Sequence, residues 1–211
     1  MYTIVVADHQ PITVKGLTSL LSDYPEYSVV DMVLSGTELL NSLRTHRPKI
    51  LILEINIPDI SGSNLLHTIK YEFPDLKVLI FSGLPEEIYA SRFIRSGVAG
   101  YVCKSASTKL IINSVHQVAQ GIAITERNDS PTDESTNRVG ERNAIKRYKK
   151  LSLREIDVLN LMSCGKRNKD IAETLDINEK TVSTYKKRIL KKMKAENLVD
   201  LINLSKMFHY N

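Results

Sequence analysis

An α/β domain built on a five-stranded parallel sheet, followed by an all-α domain of four helices, is the fold class this sequence predicts. Three observations carry it. From residue 1 to about 122, short β-branched runs alternate with segments of helical period, the signature of strands joined by crossover helices. From 126 to 150 the composition turns polar, with Pro131 and Gly140 and no apolar period, as in a linker. From Leu151 onward helical periodicity returns in four blocks with no strand signal. The expected divisions are therefore 1–122, a linker over 123–150, and 151–211.

The five strands are expected at Thr3 to Ala7, Ser28 to Val33, Ile50 to Glu54, Lys77 to Phe81 and Gly100 to Cys103. Each is short and apolar, as strands buried on both faces must be. Between them Leu17 and Leu21, Leu39 and Leu43, Leu65 with Ile69 and Phe73, and Ile111 with Val115 and Val118 recur at helical spacing and mark core stripes. In the second domain, Ser152-Leu153-Arg154-Glu155 opens the first helix as a capping box, and Gly165 ends it. The second helix, about Asn168 to Leu175, turns Ile171, Ala172 and Leu175 inward. Asp176-Ile177-Asn178 then makes a short turn, with Asn178 the expected cap of a third helix over Glu179 to Lys194. This is helix-turn-helix spacing. The last helix, about Asn197 to Phe208, carries Leu198, Leu201, Ile202 and Met207, with Val199 and Leu204 in addition. Part of that apolar girdle packs on the first helix, and the surplus is either core or a dimer seam.

Charge separates the two halves. Residues 1–147 hold 15 Lys+Arg against 16 Asp+Glu, and 148–211 hold 14 against 8. A small basic domain attached to a near-neutral one points to a polyanionic partner, usually nucleic acid. On the third helix Val182, Ile189 and Met193 form the core stripe. Ser183, Thr184, Lys187, Lys191 and Lys194 point away from it, with Arg188 beside them. Seven of the fifteen residues from Lys180 to Lys194 are basic and none is acidic. Small hydroxyl residues let a backbone approach base edges while cations neutralise phosphates, so this helix suits a major groove of double-stranded DNA. Ser183, Thr184 and Lys187 are expected at base edges. Asn168, Lys169, Lys180, Thr181, Lys186 and Lys191 are expected at the backbone.

Other classes are weaker. Residues 7 to 16 hold no glycine-rich phosphate loop, so a nucleotide-dependent enzyme is not expected. Apolar runs such as Ile50 to Leu53 are too short to cross a membrane, and no secretory pattern opens the chain, so a cytoplasmic location is expected. Cys103 and Cys164 are far apart in sequence and read as reduced packing residues.

The motifs resemble a known family. Leu151-Ser152-x-Arg154-Glu155-x-Asp157-Val158-Leu159, Gly165, Asn168-Lys169-Asp170-Ile171-Ala172 and Lys180-Thr181-Val182-Ser183-Thr184-Tyr185 are similar to the LuxR-type helix-turn-helix of NarL/FixJ response regulators. The N-terminal alternation is similar to their (βα)5 flavodoxin-like receiver domain. Ala99 to Lys104 and Asn168 to Lys186 place the chain nearest the BvgA/FimZ-like subgroup. The resemblance implies gene regulation as a homodimer on paired half-sites; a heterodimer with a related regulator is the alternative assembly.

A receiver of this family uses acidic side chains for Mg²⁺, an aspartate as phosphoryl acceptor, and a hydroxyl and a lysine to hold the phosphoryl group. Asp8, Ser82, Tyr101 and Lys104 fall where the family places an acid, the hydroxyl, the switch aromatic and the lysine. Two positions depart. His9 replaces a second acid, and imidazole is a poor ligand for a hard cation. Glu54 replaces the phosphate-accepting aspartate, and its added methylene moves the carboxylate by about 1 Å, a misplacement that can cost on the order of 100-fold.

Three readings of the receiver are open. It is a degenerate module that takes no phosphate; or Glu54 imitates the phosphorylated state by reaching toward Ser82 and Lys104; or phosphotransfer persists, with Asp8, Glu54 and the Asn56 carbonyl holding a cation. No cofactor is expected under the first two, and Mg²⁺ enters only under the third.

Overall fold

In a computed structural model the described residues are 1–60, 62–122, 124 and 146–206. They fall into two compact units, taken separately below. Most of the expected linker, and the expected end of the last helix at Met207 and Phe208, lie outside the described residues.

The first unit is a parallel sheet of order β2-β1-β3-β4-β5. Its strands are β1 (Tyr2–Ala7), β2 (Tyr27–Val33), β3 (Ile50–Leu53), β4 (Lys77–Ser82) and β5 (Gly100–Cys103). They alternate with α1 (Pro11–Ser22), α2 (Gly36–His46), α3 (Gly62–Glu72), α4 (Glu86–Arg95) and α5 (Thr108–Ala119). Local chemistry sets the helix starts. Pro11 sits in the first turn of α1, where its missing N–H costs nothing. The Ser35 and Ser107 hydroxyls accept from the Glu38 and Leu110 N–H groups and cap α2 and α5.

Every residue of the four expected stripes is buried, as are all four residues of β3. Ile4, Val6, Ile50, Ile52, Leu79, Phe81 and Val102 pack with Val14, Leu17, Leu21, Val115 and Val118 in one core cluster. Strand alternation then assigns Val5, Leu51, Leu53, Ile80 and Tyr101 to the other face. Fully burying side chains of this size contributes roughly 1.5–3 kcal/mol each, so the central strands anchor whatever their ends carry. β1 and β2 begin one residue earlier than expected and β4 runs one residue further, to Ser82, while β3 stops at Leu53, so that Glu54 is the first residue beyond it. Its N–H still bonds the Ala7 carbonyl at 2.8 Å, so the carboxylate leaves from a fixed point.

The second unit contains α6 (Leu153–Ser163), α7 (Asn168–Leu175), α8 (Glu179–Met193) and α9 (Leu198–Lys206). The capping box is present in both halves: the Ser152 hydroxyl accepts from the Glu155 N–H, and Glu155 accepts from the Ser152 N–H at 2.7 Å. Gly165 follows α6 at φ +75, a conformation only glycine adopts freely. Asn178 caps α8 through the Lys180 N–H at 2.8 Å. Ile171, Leu175, Val182, Ile189, Met193 and Leu201 are buried. α8 ends one residue earlier than expected, with Lys194 as its left-handed cap. In α9 Leu201 is buried while Val199 is 68% exposed, so the apolar girdle is not all core.

Glu155 does more than cap. Its side chain is buried, and it accepts from the Lys192 ammonium at 2.6 Å. Burial pushes its carboxyl up, but the hydrogen bond from Lys192 and those from Ser152 outweigh this and hold it below the ordinary 4.5. A depressed folded-state value means the pair's contribution is complete above the ordinary 4.5 and is lost as pH falls from there through the folded-state value. Lys192→Met should therefore destabilise this unit by about 1–3 kcal/mol at neutral pH, and Glu155→Gln should flatten the loss of stability below pH 4.5. Thermal melts across a pH series, comparing wild type with both variants, check this.

Candidate functional sites

The first site lies at the carboxyl ends of β1, β3, β4 and β5, beside the point where strand order reverses and open α/β sheets place their ligands. Asp8 follows β1, Glu54 follows β3, Ser82 ends β4 and Lys104 follows β5. Asp8, Glu54 and Ser82 are buried. The Asp8 N–H bonds the Val33 carbonyl and the Lys104 N–H bonds the Ser82 carbonyl, so the ladder continues one residue past the strands and fixes these side chains.

The Lys104 ammonium is at the centre. It ion-pairs with Asp8 Oδ2 at 2.6 Å and with Glu54 Oε2 at 3.1 Å, and donates to Gln10 Oε1 at 3.2 Å. The Gln10 contact is a hydrogen bond, whereas the two carboxylates are held by charge, and Asp8 Oδ2 accepts no hydrogen bond among the described residues. The other Glu54 oxygen accepts from the Ser82 hydroxyl at 2.9 Å and from the Asn56 N–H at 3.0 Å. Ser82 Oγ in turn accepts from the Leu84 N–H at 3.3 Å, and the Leu84 carbonyl accepts from the Tyr101 hydroxyl at 2.7 Å. Tyr101 is buried and stacks on Phe93, with ring centres 5.7 Å apart. A continuous hydrogen-bonded chain therefore runs from Glu54 through Ser82 and Leu84 to Tyr101.

All six expected receiver residues are at this end of the sheet. His9 stands at the rim, with Nδ1 3.7 Å from Asp8 Oδ1. Gln10 and Leu84 belong to the cluster and were not expected; both act at long sequence separation. Asn56 enters through its N–H, which points at Glu54, where the third reading required its carbonyl. The Lys104 ammonium stands between the two carboxylates, and His9 at the rim offers an imidazole nitrogen and no oxygen. Among the described residues no three His, Cys, Asp or Glu side chains group as metal ligands.

The second site is the outer face of α8. Lys180, Thr184, Lys187, Arg188, Lys191 and Lys194 are exposed, and Thr181 and Ser183 are half-buried. Asn168, at the start of α7, donates to Ser183 Oγ at 3.3 Å and ties the two helices together. Lys169 is exposed. Lys186, four residues after Val182, is half-buried beside the core stripe. Lys192 is bound to Glu155 and withdrawn from the cationic face. Tyr185 and Arg188 line a shallow hollow with Lys180, Thr181 and Thr184; neither was among the expected contact residues.

A sheet whose carboxyl end carries an acid, a hydroxyl, a lysine and a buried tyrosine, joined to a basic helix-turn-helix, defines a two-domain regulator of transcription that binds DNA. Residues 4–116 match the response regulator receiver domain family, and residues 149–205 match the bacterial regulatory proteins of the luxR family. The chain belongs to the NarL/FixJ response regulators. It is similar to the virulence factors putative positive transcription regulator BvgA of Bordetella pertussis, at 32% identity over 96% of each chain. The oxygen regulatory protein NreC of Staphylococcus carnosus is 30% identical over 94% of each. Among solved structures, RcsB from Salmonella enterica serovar Typhimurium bound to promoter rprA shares the fold, with TM-score 0.79 and 24% identity over 96% of this chain and 97% of that one. No helix among the described residues is long and apolar enough to cross a membrane.

Removing the central cation should expose how much the receiver depends on it. Lys104→Met leaves two buried carboxylates facing one another and should lower stability by about 3–5 kcal/mol. Adding Glu54→Gln should recover part of that loss. A double-mutant cycle on denaturant midpoints checks the coupling, with additive losses the contrary outcome.

Proposed function

We propose that this response regulator binds double-stranded DNA as a homodimer and that its receiver is set by Glu54 instead of by aspartyl phosphorylation. One observation carries the control half: the Glu54 carboxylate takes the Ser82 hydroxyl, the Asn56 N–H and the Lys104 ammonium together. Two of these, the hydroxyl and the ammonium, are the groups that, by family resemblance, hold a phosphoryl group on a shorter aspartate. The extra methylene lets a carboxylate reach them without phosphate. Ser82 and Tyr101 are drawn into one hydrogen-bonded chain with it, which favours the imitation of the phosphorylated state over a receiver that has merely lost its site. With the metal position taken by Lys104, Mg²⁺ has no part in this reading.

The DNA half rests on the exposed cations of α8 and on Asn178 presenting that helix at the end of a tight turn. Thr184 and Lys187 are placed at base edges, with Ser183 on the shoulder that Asn168 holds, and Lys180, Thr181 and Lys191 at phosphates. RcsB, of the same fold, has been solved as dimers bound to DNA, and the exposed Val199 on α9 supplies an apolar surface for pairing.

Incubation with a small phosphodonor and Mg²⁺, followed by DNA binding of wild type, Glu54→Ala and Glu54→Asp, tests the control half. Wild type should take up no phosphate and bind DNA unaided. Glu54→Ala should bind roughly 5- to 150-fold more weakly, the range of a coupling of 1–3 kcal/mol. Phosphate uptake by wild type that strengthens binding overturns the reading. Unchanged binding by Glu54→Ala leaves the receiver a passive module.

A further inference from the structure

The hollow on α8 is lined by two cations and three hydroxyl-bearing side chains, and by no acidic residue: Lys180, Thr181, Thr184, Tyr185 and Arg188. These positions recur one turn apart along one flank of the helix, so their ends converge. No ion pair within 4 Å is found for Lys180 or Arg188 among the described residues, whereas Lys192 on the same helix is bound to Glu155. Both cations are exposed. Their charge is therefore available to a ligand, and the ligand that matches clustered cations and hydroxyl donors is an oxyanion.

Thr184 refines the geometry. Its hydroxyl proton is directed to the Lys180 carbonyl at 2.9 Å, so outward it offers lone pairs only. A phosphate oxygen gains nothing there, whereas an exocyclic amino group on a base edge does. Thr184 is thus the wall between two zones of the helix. On one side stand Thr181, Tyr185 and Arg188; on the other stand Lys187 and, held by Asn168, Ser183, with Lys180, one turn before Thr184, reaching into the hollow from that second side.

We propose that Tyr185 and Arg188 complete a seat for one DNA backbone phosphate with Lys180 and Thr181, and that this seat fixes how α8 rolls in the major groove, turning Lys187 toward the bases. The inference rests on the DNA-binding reading above and adds to it two residues and an orientation. Arg188 and the Tyr185 hydroxyl act on the backbone and carry no sequence information; Lys187, on the far side of Thr184, carries it.

Selection of bound duplexes from a randomised pool by wild type, Arg188→Ala, Arg188→Lys, Tyr185→Phe and Lys187→Ala, followed by salt titrations on the selected sequence, tests this. Circular dichroism controls for folding, and Arg188 is exposed. Arg188→Ala should weaken all sequences roughly tenfold, leave the selected consensus intact and reduce the salt slope by about 1. Tyr185→Phe should weaken binding uniformly with the slope unchanged, Arg188→Lys should keep the slope, and Lys187→Ala should relax the consensus at one position. A consensus altered by Arg188→Ala, or Arg188→Ala binding like wild type, overturns the seat and leaves DNA binding standing. Wild type that enriches no duplex overturns DNA reading itself, and the seat with it.

Discussion

Two carboxylates buried at the end of one sheet cannot both stay charged without a cation between them, and the receiver is organised around that requirement. Asp8 is 1% exposed and Glu54 4%. Leaving either unpaired costs several kcal/mol, more than most single contacts in a domain supply. Lys104 ion-pairs with both, and it donates a hydrogen bond to Gln10. The strands that deliver these three residues are apolar along their whole buried length. Their positions are therefore fixed by packing before any electrostatic term acts, and the ion cluster inherits a geometry it does not have to enforce.

That cluster accounts for the departures from the family pattern as a connected set. Replacing a second acid with His9 removes negative charge that the single ammonium would have to balance. Lengthening the acceptor to Glu54 brings one oxygen to Lys104 and the other to Ser82. With Ser82 occupied on that side, its lone pair is left for the Leu84 N–H, and the loop after β4 is held where the Leu84 carbonyl meets Tyr101. Each change supports the next. A carboxylate one methylene shorter, extended from the same Leu53 backbone, lacks the reach that closes this chain.

Much of this was legible in the sequence, for a physical reason. Burial on a sheet or helix is periodic, so Leu39 with Leu43 and Val115 with Val118 announce their face locally, and capping at Ser152 and Asn178 is chemistry within three residues. Asp8, Glu54, Ser82, Tyr101 and Lys104 were legible by another route, the resemblance to the receiver family. What pattern does not encode is which polar atoms meet across elements. Gln10 reaches Lys104 across 94 positions, and Lys192 reaches Glu155 across 37. A lysine on the outer half of a basic helix gives no local sign that a buried acid elsewhere has claimed it. The count of seven cations on α8 therefore overstated the surface offered to DNA, while Arg188, set aside as a neighbour, stands on it.

The two units use the same pair of residue types to opposite effect. Glu155 and Lys192 join a buried carboxylate to an ammonium at 2.6 Å, and Glu54 and Lys104 do so at 3.1 Å. The difference lies in what else each carboxylate touches. Glu155 spends its remaining capacity on the N–H of Ser152, three residues away in its own helix turn, so its partners stay within two packed helices of one unit. Glu54 turns its other oxygen to Ser82, 28 positions away on another strand, and through it to a loop and a buried aromatic. A buried acid whose partners are its own helix cap and one lysine of the helix packed against it stabilises that pair of helices. One whose partners lie on three strand ends ties their relative positions to its own length, and this is the ground for proposing position 54 as a control point where position 155 is a cap.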